Sequence, residues 1–223
     1  MLLRRQIYMK QLKIFISYSS QDKLIAGSFK RYFEEYAGFL VFLAHEDIAP
    51  ALEWELKIIR NLKEADVIIS LITDNYRSSE FTDQELGMAL AWNKIIIPIK
   101  LANINPYGFI KKLQALKCGS NQNEIINAVT TVVFVLINNR EFNRFKEIVI
   151  DCVINAFNNS SSFKTTRIII GMLMKVGNFN KDQLTKIEKA MIYNDQIYNE
   201  YFAFPNFKEK LINKYKITID IKS

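Results

Sequence analysis

Between residues 13 and 101, short apolar runs alternate with longer amphipathic segments, and this alternation restricts the possible folds more than any other feature. Each apolar run has the length of one strand; the runs occupy residues 13–18, 39–43, 67–72 and 95–99. The intervening segments carry apolar residues at helical spacing; they occupy residues 22–36, 52–62 and 79–92. Strands that alternate with helices predict a parallel sheet covered on both faces. The predicted fold class is therefore α/β and flavodoxin-like.

The predicted sheet also indicates where a ligand would bind. Open parallel sheets bind ligands beyond the carboxyl ends of their strands, at the point where the strand order reverses. The segments that follow the four predicted strands are 17–22, 44–54, 73–85 and 100–107. We expect the functional side chains to come from these segments.

The character of the sequence changes at about residue 141, where helical spacing replaces the alternation. The polar stretch 158–162 predicts a break and a helix cap, Gly177 with Asn178 the end of that helix, and Asn180 or Asp182 the start of another. Pro205 is expected to begin a last helix, and 217–221 alternates like an edge strand or an ordered tail. We therefore divide the chain into an N-terminal extension (1–12), an α/β domain (13–138) and a small α-helical C-terminal module (139–223).

Charge and composition narrow the possible partners. The chain carries a net charge of +7, but its lysines are scattered, which indicates a solvated surface that steers an anionic ligand rather than a nucleic-acid interface. No apolar segment of signal-peptide length follows the basic N-terminus, and the apolar stretch 125–137 is too short to span a bilayer. We expect that stretch to be a buried core helix or strand, and we expect a cytoplasmic protein that binds neither nucleic acid nor membrane.

Few residues in the chain could ligate a metal. His45 is the only histidine, and the only cysteines are Cys118 and Cys152, which cannot form a disulfide framework or a metal cage by themselves. We therefore expect no metal site. Glycine-rich phosphate loops and Gly-x-Ser-x-Gly motifs are also absent from the sequence, which disfavours a resident nucleotide cofactor and acyl hydrolysis.

Three segments, in order and at family spacing, resemble a TIR (Toll/interleukin-1 receptor) domain of the bacterial type. They are the first strand with its following loop (15–22), the second strand with the BB loop (41–54), and the third-helix segment with the fourth strand (79–99). The resemblance implies a five-stranded parallel sheet, and it implies self-association through TIR–TIR contacts. It does not extend to the helical C-terminal module.

The resemblance also implies consumption of NAD⁺ as a substrate rather than as a cofactor. Many bacterial members are NAD⁺ glycohydrolases (NADases) or cyclases that release nicotinamide with ADP-ribose or a cyclic ADP-ribose isomer. Several act in antiviral, anti-phage defence signalling of the Thoeris kind, in which an effector protein senses the product. Other TIR domains are adaptors that only assemble with one another.

Glu85 is the candidate catalytic residue, because it matches the glutamate of the family's aromatic-x-x-x-Glu motif. Cleavage of the nicotinamide–ribose bond passes through an oxocarbenium-like ribose, which a carboxylate stabilises. Phe81 is the aromatic residue of the motif, and a spacing of four places both side chains on one helical face. The family more often has Trp followed by Cys at these two positions, whereas this chain has Phe81 and Thr82.

Five further residues are candidates for substrate binding. Ser17, Tyr18 and Ser19 end the first strand at the expected ligand edge, where hydroxyl and amide groups could bind ribose or phosphate. His45 and Asp47 belong to the segment that resembles the BB loop, and either could contact the substrate. Alternatively, the three strand-end residues form a capped turn, His45 has a structural role in the loop, and Asp47 contacts a neighbouring protomer.

Three functional hypotheses follow. The first is an NAD⁺-cleaving TIR enzyme, and the second is a non-catalytic TIR adaptor. The third is nucleoside or nucleotide processing by a related glycosyl-transfer fold, which would also place a carboxylate near a ribose. We further hypothesise that the helical module, residues 139–223, controls oligomerisation or senses a trigger.

Overall fold

The structure, a computed structural model, describes residues 10–44, 54–101 and 103–217 of the 223-residue chain. The first part of the chain alternates between strand and helix as the sequence predicts. Its elements are β1 (Lys13–Ser17), α1 (Lys23–Ala37), β2 (Leu40–Leu43), α2 (Trp54–Glu64), β3 (Val67–Ile72), α3 (Asp74–Arg77), α4 (Glu80–Ala91), β4 (Ile95–Lys100), β5 (Leu116–Lys117) and α5 (Gln122–Asn138). The apolar stretch 125–137 is therefore a helix.

The rest of the described chain is helical. Its elements are α6 (Lys146–Asn158), α7 (Phe163–Leu173), α8 (Lys181–Tyr193), α9 (Asp195–Tyr198) and α10 (Phe204–Tyr215), with a 3₁₀ turn at Arg140–Phe145 between α5 and α6. Of the alternating segment 217–221, only Ile217 lies within the described residues, and it has no regular structure.

The five strands form one parallel sheet in the order β2-β1-β3-β4-β5. This is the flavodoxin-like order, in which the carboxyl ends of all strands meet at one edge. Ser17 ends β1 opposite Ser70 of the neighbouring β3. The fold is thus the α/β fold that the sequence predicts, with a helical C-terminal region.

The central strand β3 is buried along its whole length. Its apolar residues are β-branched or leucine, which suit a strand packed on both faces. On one side of the sheet, α1 and α5 pack together, and α1 also packs against β2. The core is therefore continuous from the sheet into the flanking helices.

Side-chain caps define the starts of α7 and α8. Ser162 accepts a hydrogen bond from the Thr165 amide at the start of α7, and Asn180 forms a capping box with Gln183 at the start of α8. The prediction that Gly177 ends the intervening helix is wrong, because α7 already ends at Leu173 and a turn follows. The polar stretch and Asn180 thus set two boundaries correctly.

The helical region packs directly on the α/β domain. Helix α6 contacts both α1 and α5, and the Thr165 hydroxyl of α7 donates a hydrogen bond to Glu35 of α1 at 2.8 Å. Gly38 caps the C-terminus of α1 with a φ of +67°, and a Cβ there would overlap the backbone carbonyl oxygen of Cys152 in α6. The two regions therefore approach each other at backbone distance.

None of the described helices is by itself long and apolar enough to cross a membrane. The helix Gln122–Asn138 and the segment Arg140–Asn158 pass that test only as a pair, and they meet at an angle of 91°.

We expect Gly38→Ala to lower the free energy of unfolding by about 2–4 kcal/mol, since a left-handed backbone disfavours a Cβ and the substitution also crowds the Cys152 carbonyl. Gly27→Ala is the matched control, because Gly27 lies inside α1 with no heavy atom within 4 Å of the added Cβ. It should be neutral or stabilising by up to about 1 kcal/mol. Urea unfolding of both variants and wild type measures the difference. Equal stability of the two variants would contradict this docking geometry.

Candidate active site at the carboxyl edge of the sheet

Ser17 places a hydroxyl group at the carboxyl end of β1. The residue is fully buried, and its Oγ donates a hydrogen bond to Oε2 of Glu85 at 2.6 Å. The two residues are 68 positions apart in sequence. The end of the sheet is thereby joined to the helix that carries the motif glutamate.

Helix α4 holds Glu85 in its second turn. The first turn is anchored by Thr82, a fully buried residue whose hydroxyl lies within hydrogen-bond distance of the Tyr76 and Ser79 carbonyl oxygens, at 2.9 and 2.7 Å. The anchor fixes the rotation of α4 about its axis. As a result Glu85 is only 2% exposed, whereas Phe81, one turn earlier, is 42% exposed.

Tyr76 completes the surroundings of the carboxyl group. It lies in the short helix α3, whose N-cap Thr73 accepts a hydrogen bond from the Tyr76 amide and donates one to Asp22. The Tyr76 side chain is fully buried, and its hydroxyl lies 3.1 Å from Ser17 Oγ. Tyr76, Ser17 and Glu85 therefore form one continuous chain of hydrogen bonds.

Burial changes the ionisation of these groups. It raises the pKa of Glu85 from 4.5 to about 8, and the hydrogen bond from Ser17 offsets part of that increase. Burial also raises the pKa of Tyr76 above its usual range. Oε1 of Glu85 has no hydrogen-bond partner among the described residues. A buried carboxyl group with one unused oxygen is a frequent mark of a functional site.

A second buried carboxylate in the same chain shows the usual structural arrangement. Glu200 is also 2% exposed, but it accepts hydrogen bonds from the Ala203 and Phe204 amides and pairs with Arg167 at 2.8 Å. Burial alone would raise the pKa of Glu200, but these donors hold it below its ordinary value. Glu85 has none of these charged or amide donors in the described structure, so capping or ion pairing does not account for its burial.

Glu85 lies in the wall of a cleft of about 440 Å³ between α2 and α4. The lining residues are Glu55, Ile58, Ile59, Phe81, Gln84, Glu85, Gly87 and Met88. Two of them are carboxylates and none is basic, although the whole chain carries a net charge of +7. The cleft therefore suits a cationic or neutral aromatic group better than a phosphate.

A larger cavity, about 680 Å³, lies between the ends of β4 and β5 and helix α5. Its charged residues, which include Lys100, Lys117 and Glu124, are exposed or half-buried. Among its described lining residues the buried ionisable group is the Cys118 thiol, and none of the described carboxyl groups there is buried. We therefore take the smaller cleft as the candidate active site.

The structure brings some of the predicted site residues together and not others. Glu85 and Phe81 line the same cleft, as their spacing predicts, and Ser17 reaches it through Glu85. Tyr18 and Ser19 are 0% and 5% exposed and are not among the described lining residues. The roles of these three strand-end residues in ligand binding stay predictions.

The predictions for His45 and Asp47 lie outside the described residues. Within the described ranges, no group of three His, Cys, Asp or Glu side chains is placed to hold a metal ion. Both cysteines there are unbridged and buried, and burial raises their pKa to about 11.

The sequence did not single out Tyr76 or Glu55 as site residues. Tyr76 follows the carboxyl end of β3, so the rule that ligands bind beyond strand ends could have suggested it. Glu55 gave no such signal, since an exposed glutamate near a helix start is usually a solvated side chain.

The free energy of unfolding should depend on pH through Glu85. An acid whose pKa is higher in the folded state contributes stability below its unfolded pKa and loses that contribution as pH rises through the folded value. Relative to Glu85→Gln, we expect wild type to lose roughly 3–5 kcal/mol between pH 4 and 9, at about 1.4 kcal/mol per unit of pKa shift. Urea unfolding across that range measures the loss. Glu80→Gln, at an exposed position of the same helix, is the control and should run parallel to wild type; parallel curves for Glu85→Gln would contradict the raised pKa.

Comparisons with known proteins give the family. Among solved structures, the chain is similar to the TIR domain of the Toll-related receptor TRR-2 from Hydra magnipapillata, at 19% identity and a TM-score of 0.42, over 47% of this chain and 82% of that chain. It is also similar to a 2-desoxiribosyltransferase from Leishmania mexicana, at 16% identity and a TM-score of 0.35, over 47% and 72% of the two chains. At these scores neither similarity bears on function, and no curated protein matches the chain. A model of the TIR domain family matches residues 14–133, more than half of the chain, and the chain therefore belongs to the TIR domain family.

Proposed function

We propose that this TIR protein cleaves NAD⁺ at the nicotinamide–ribose bond and that Glu85 is the essential carboxylate. The observation that carries the proposal is the buried Glu85 carboxyl group, which has one unpartnered oxygen and lies in the wall of an aromatic, acidic cleft. Because Glu85 is 2% exposed, a ligand would have to reach it through that cleft.

The reaction requires little from the protein beyond charge and position. The nicotinamide ring of NAD⁺ is already positively charged, so it leaves without a strong acid. The ribose that remains has oxocarbenium character, and a carboxylate beside it stabilises the positive charge. Surroundings of low dielectric strengthen that attraction, which supports a buried rather than a solvated glutamate.

The lining of the cleft supports a cationic ring as the bound group. Phe81 offers a half-exposed aromatic face, and cations bind favourably over such faces. Glu55 adds a second carboxylate, and Met88 adds a polarisable sulfur that packs well against rings. No lysine or arginine is among the described lining residues of the cleft, so we place the diphosphate of NAD⁺ outside it.

We extend the proposal to the biological role that TIR enzymes of this kind imply. The products are nicotinamide and either ADP-ribose or a cyclic ADP-ribose isomer. We place the enzyme in the cytoplasm as a bacterial protein of anti-phage defence, in which a separate effector senses the product. Membership of the TIR family and the acidic cleft support this role.

The second candidate function is a TIR adaptor that assembles without turnover. Membership of the family supports it equally, because TIR domains also associate with one another. The placement of Glu85 favours the enzyme, since an adaptor has no use for a buried, unpaired carboxyl group whose ionisation destabilises the fold.

We expect Glu85→Gln to lower the rate of nicotinamide release by about 10²-fold or more, because the amide removes the charge that stabilises the transition state. Phe81→Ala should raise KM more than it lowers kcat, since it removes a face that binds the ring in ground state and transition state alike. The measurement is chromatography with mass detection of NAD⁺ incubations at low and high protein concentration, which also separates ADP-ribose from its cyclic isomers.

Glu80→Gln is the matched control, because it makes the same chemical change at an exposed position of α4. It should leave turnover within about twofold of wild type, as surface substitutions usually do. If wild type and Glu85→Gln release nicotinamide at the same background rate at every concentration, the enzyme hypothesis fails and the adaptor is favoured.

The pH dependence of turnover should follow the ionisation of Glu85. The profile of kcat/KM reports the free enzyme, so it should rise with pH to a midpoint near the pKa of about 8. The profile of kcat reports the bound complex, in which a cationic ring favours the ionised carboxylate, so its midpoint should lie lower. Initial rates between pH 5 and 10 test both points. A kcat/KM profile with a midpoint near 4.5 would contradict the proposed state of Glu85.

A further inference from the structure

Three side chains from three elements form a buried hydrogen-bond chain beneath the cleft. The Tyr76 hydroxyl lies 3.1 Å from Ser17 Oγ, and Ser17 Oγ lies 2.6 Å from Glu85 Oε2. Ser17 and Tyr76 are fully buried and Glu85 is 2% exposed. Solvent therefore does not compete for these hydrogen bonds.

The protons can be assigned when Glu85 is ionised. A carboxylate only accepts hydrogen bonds, so Ser17 must donate its single proton to Oε2. At the contact between Tyr76 and Ser17 the Ser17 oxygen can then only accept, so Tyr76 is the donor there. All hydroxyl protons in the chain then point towards the charge.

The order can reverse when Glu85 is protonated. Its carboxyl proton can be donated to Ser17 Oγ, and the Ser17 proton then turns towards the Tyr76 oxygen. The same three side chains thus hold both forms of Glu85 without moving a heavy atom. The first direction stabilises the ionised form of Glu85 more than the second, since only in the first do two hydroxyl donors point towards the carboxylate.

We infer that Ser17 and Tyr76 are positioning residues whose hydrogen-bond chain reverses when Glu85 ionises and so makes the carboxylate form accessible within the working pH range. The inference rests on the proposed function in one respect, which is that the carboxylate is the reactive form. Ser17 thereby acts on the ligand through Glu85.

The other groups around Glu85 leave this chain as its only described donor. From α2 the cleft receives Glu55, whose carboxylate is exposed, so that solvent screens its charge. On α4 itself, Asp83 accepts a hydrogen bond from the Tyr107 hydroxyl at 2.9 Å, and Gln84 is exposed. Ser70 lies opposite Ser17 on β3, and its hydroxyl acts on Tyr76, whose pKa it lowers. No lysine, arginine or histidine lines the cleft in the described structure.

Neutral donors suit a site that receives a cationic ring. An arginine paired with Glu85, like the one that pairs with Glu200, would ionise the carboxyl group but would repel the incoming cation. Hydroxyl groups stabilise the carboxylate and leave its charge available to the ligand. The hydroxyl groups therefore stabilise the Glu85 carboxylate without competing with the cationic ligand for its charge.

The test is a titration of Glu85 that does not need turnover. The full chain is labelled with ¹³C at the glutamate carboxyl carbons, and the Glu85 signal is identified by its loss in Glu85→Gln. We expect a wild-type midpoint near 8. Ser17→Ala should raise that midpoint by about one pH unit, since it removes the direct donor, and Tyr76→Phe should raise it by about half a unit.

Ser28→Ala is the matched control, because it makes the same chemical change in α1, where Ser28 Oγ donates a hydrogen bond to the Leu24 carbonyl oxygen at 3.1 Å. Its midpoint should equal that of wild type. Equal midpoints in Ser17→Ala and wild type, or an equal shift in Ser28→Ala, would overturn the inference, as would a wild-type midpoint near 4.5. Tyr76→Phe removes a single oxygen without changing the ring, so it decides the question if Ser17→Ala does not fold; a Tyr76→Phe midpoint equal to wild type overturns the inference.

Rates measured on the same variants separate this inference from the proposed function. If wild type cleaves NAD⁺, the midpoint of its kcat/KM profile should rise in Ser17→Ala by the same amount as the NMR midpoint. If wild type does not cleave NAD⁺ but the NMR midpoints shift as expected, the enzyme hypothesis fails and the hydrogen-bond chain stands.

Discussion

Every strand of a parallel sheet must be covered on both faces, and this constraint governs the rest of the molecule. It explains why β3 is buried throughout and why helices flank the sheet on both sides. It also explains the burial of Glu85, because the helix that covers this part of the sheet carries the motif glutamate on its inner face. The position of the site thus follows from the packing of α4 against the sheet.

The burial of Glu85 opposes stability, and the rest of the core must offset it. Burial of a carboxyl group costs free energy when one of its oxygens lacks a hydrogen bond, as in Glu85. The buried carboxyl group of Glu200 differs, because it accepts hydrogen bonds from two backbone amides. The α/β domain has additional support from its C-terminal helices, which cover α1 and approach its end at Gly38 without room for a side chain. A buried carboxyl group with an unpartnered oxygen is compatible with a stable fold when the surrounding packing is this extensive.

The same residues define the chemistry of the cleft. The donor to the Glu85 carboxyl group is a hydroxyl group, whereas a structural ion pair would have an arginine. Two carboxylates line the cleft, although the protein has a net positive charge. Under the proposed function, this arrangement would separate the two ends of the dinucleotide by charge, with the cationic ring at Glu85 and the phosphates outside the cleft. Phe81, in place of the larger indole that the family more often has, keeps the aromatic face and leaves the cleft open at about 440 Å³.

The sequence by itself determined the elements and the family, because periodicity and motif order are local properties. The strand at 67–72, the helix with Phe81 and Glu85 on one face, and the cap at Asn180 could all be read from neighbouring residues. The sequence assigned no residues to β5 or α3, since two and four residues are too few to show a period. Only the tertiary structure brings Ser17 within hydrogen-bond distance of Glu85, 68 positions away in sequence, and places the Tyr76 hydroxyl beside Ser17. The pKa of Glu85 depends on its hydrogen bond with Ser17 and on burial by elements distant in sequence, so no local pattern could have determined it.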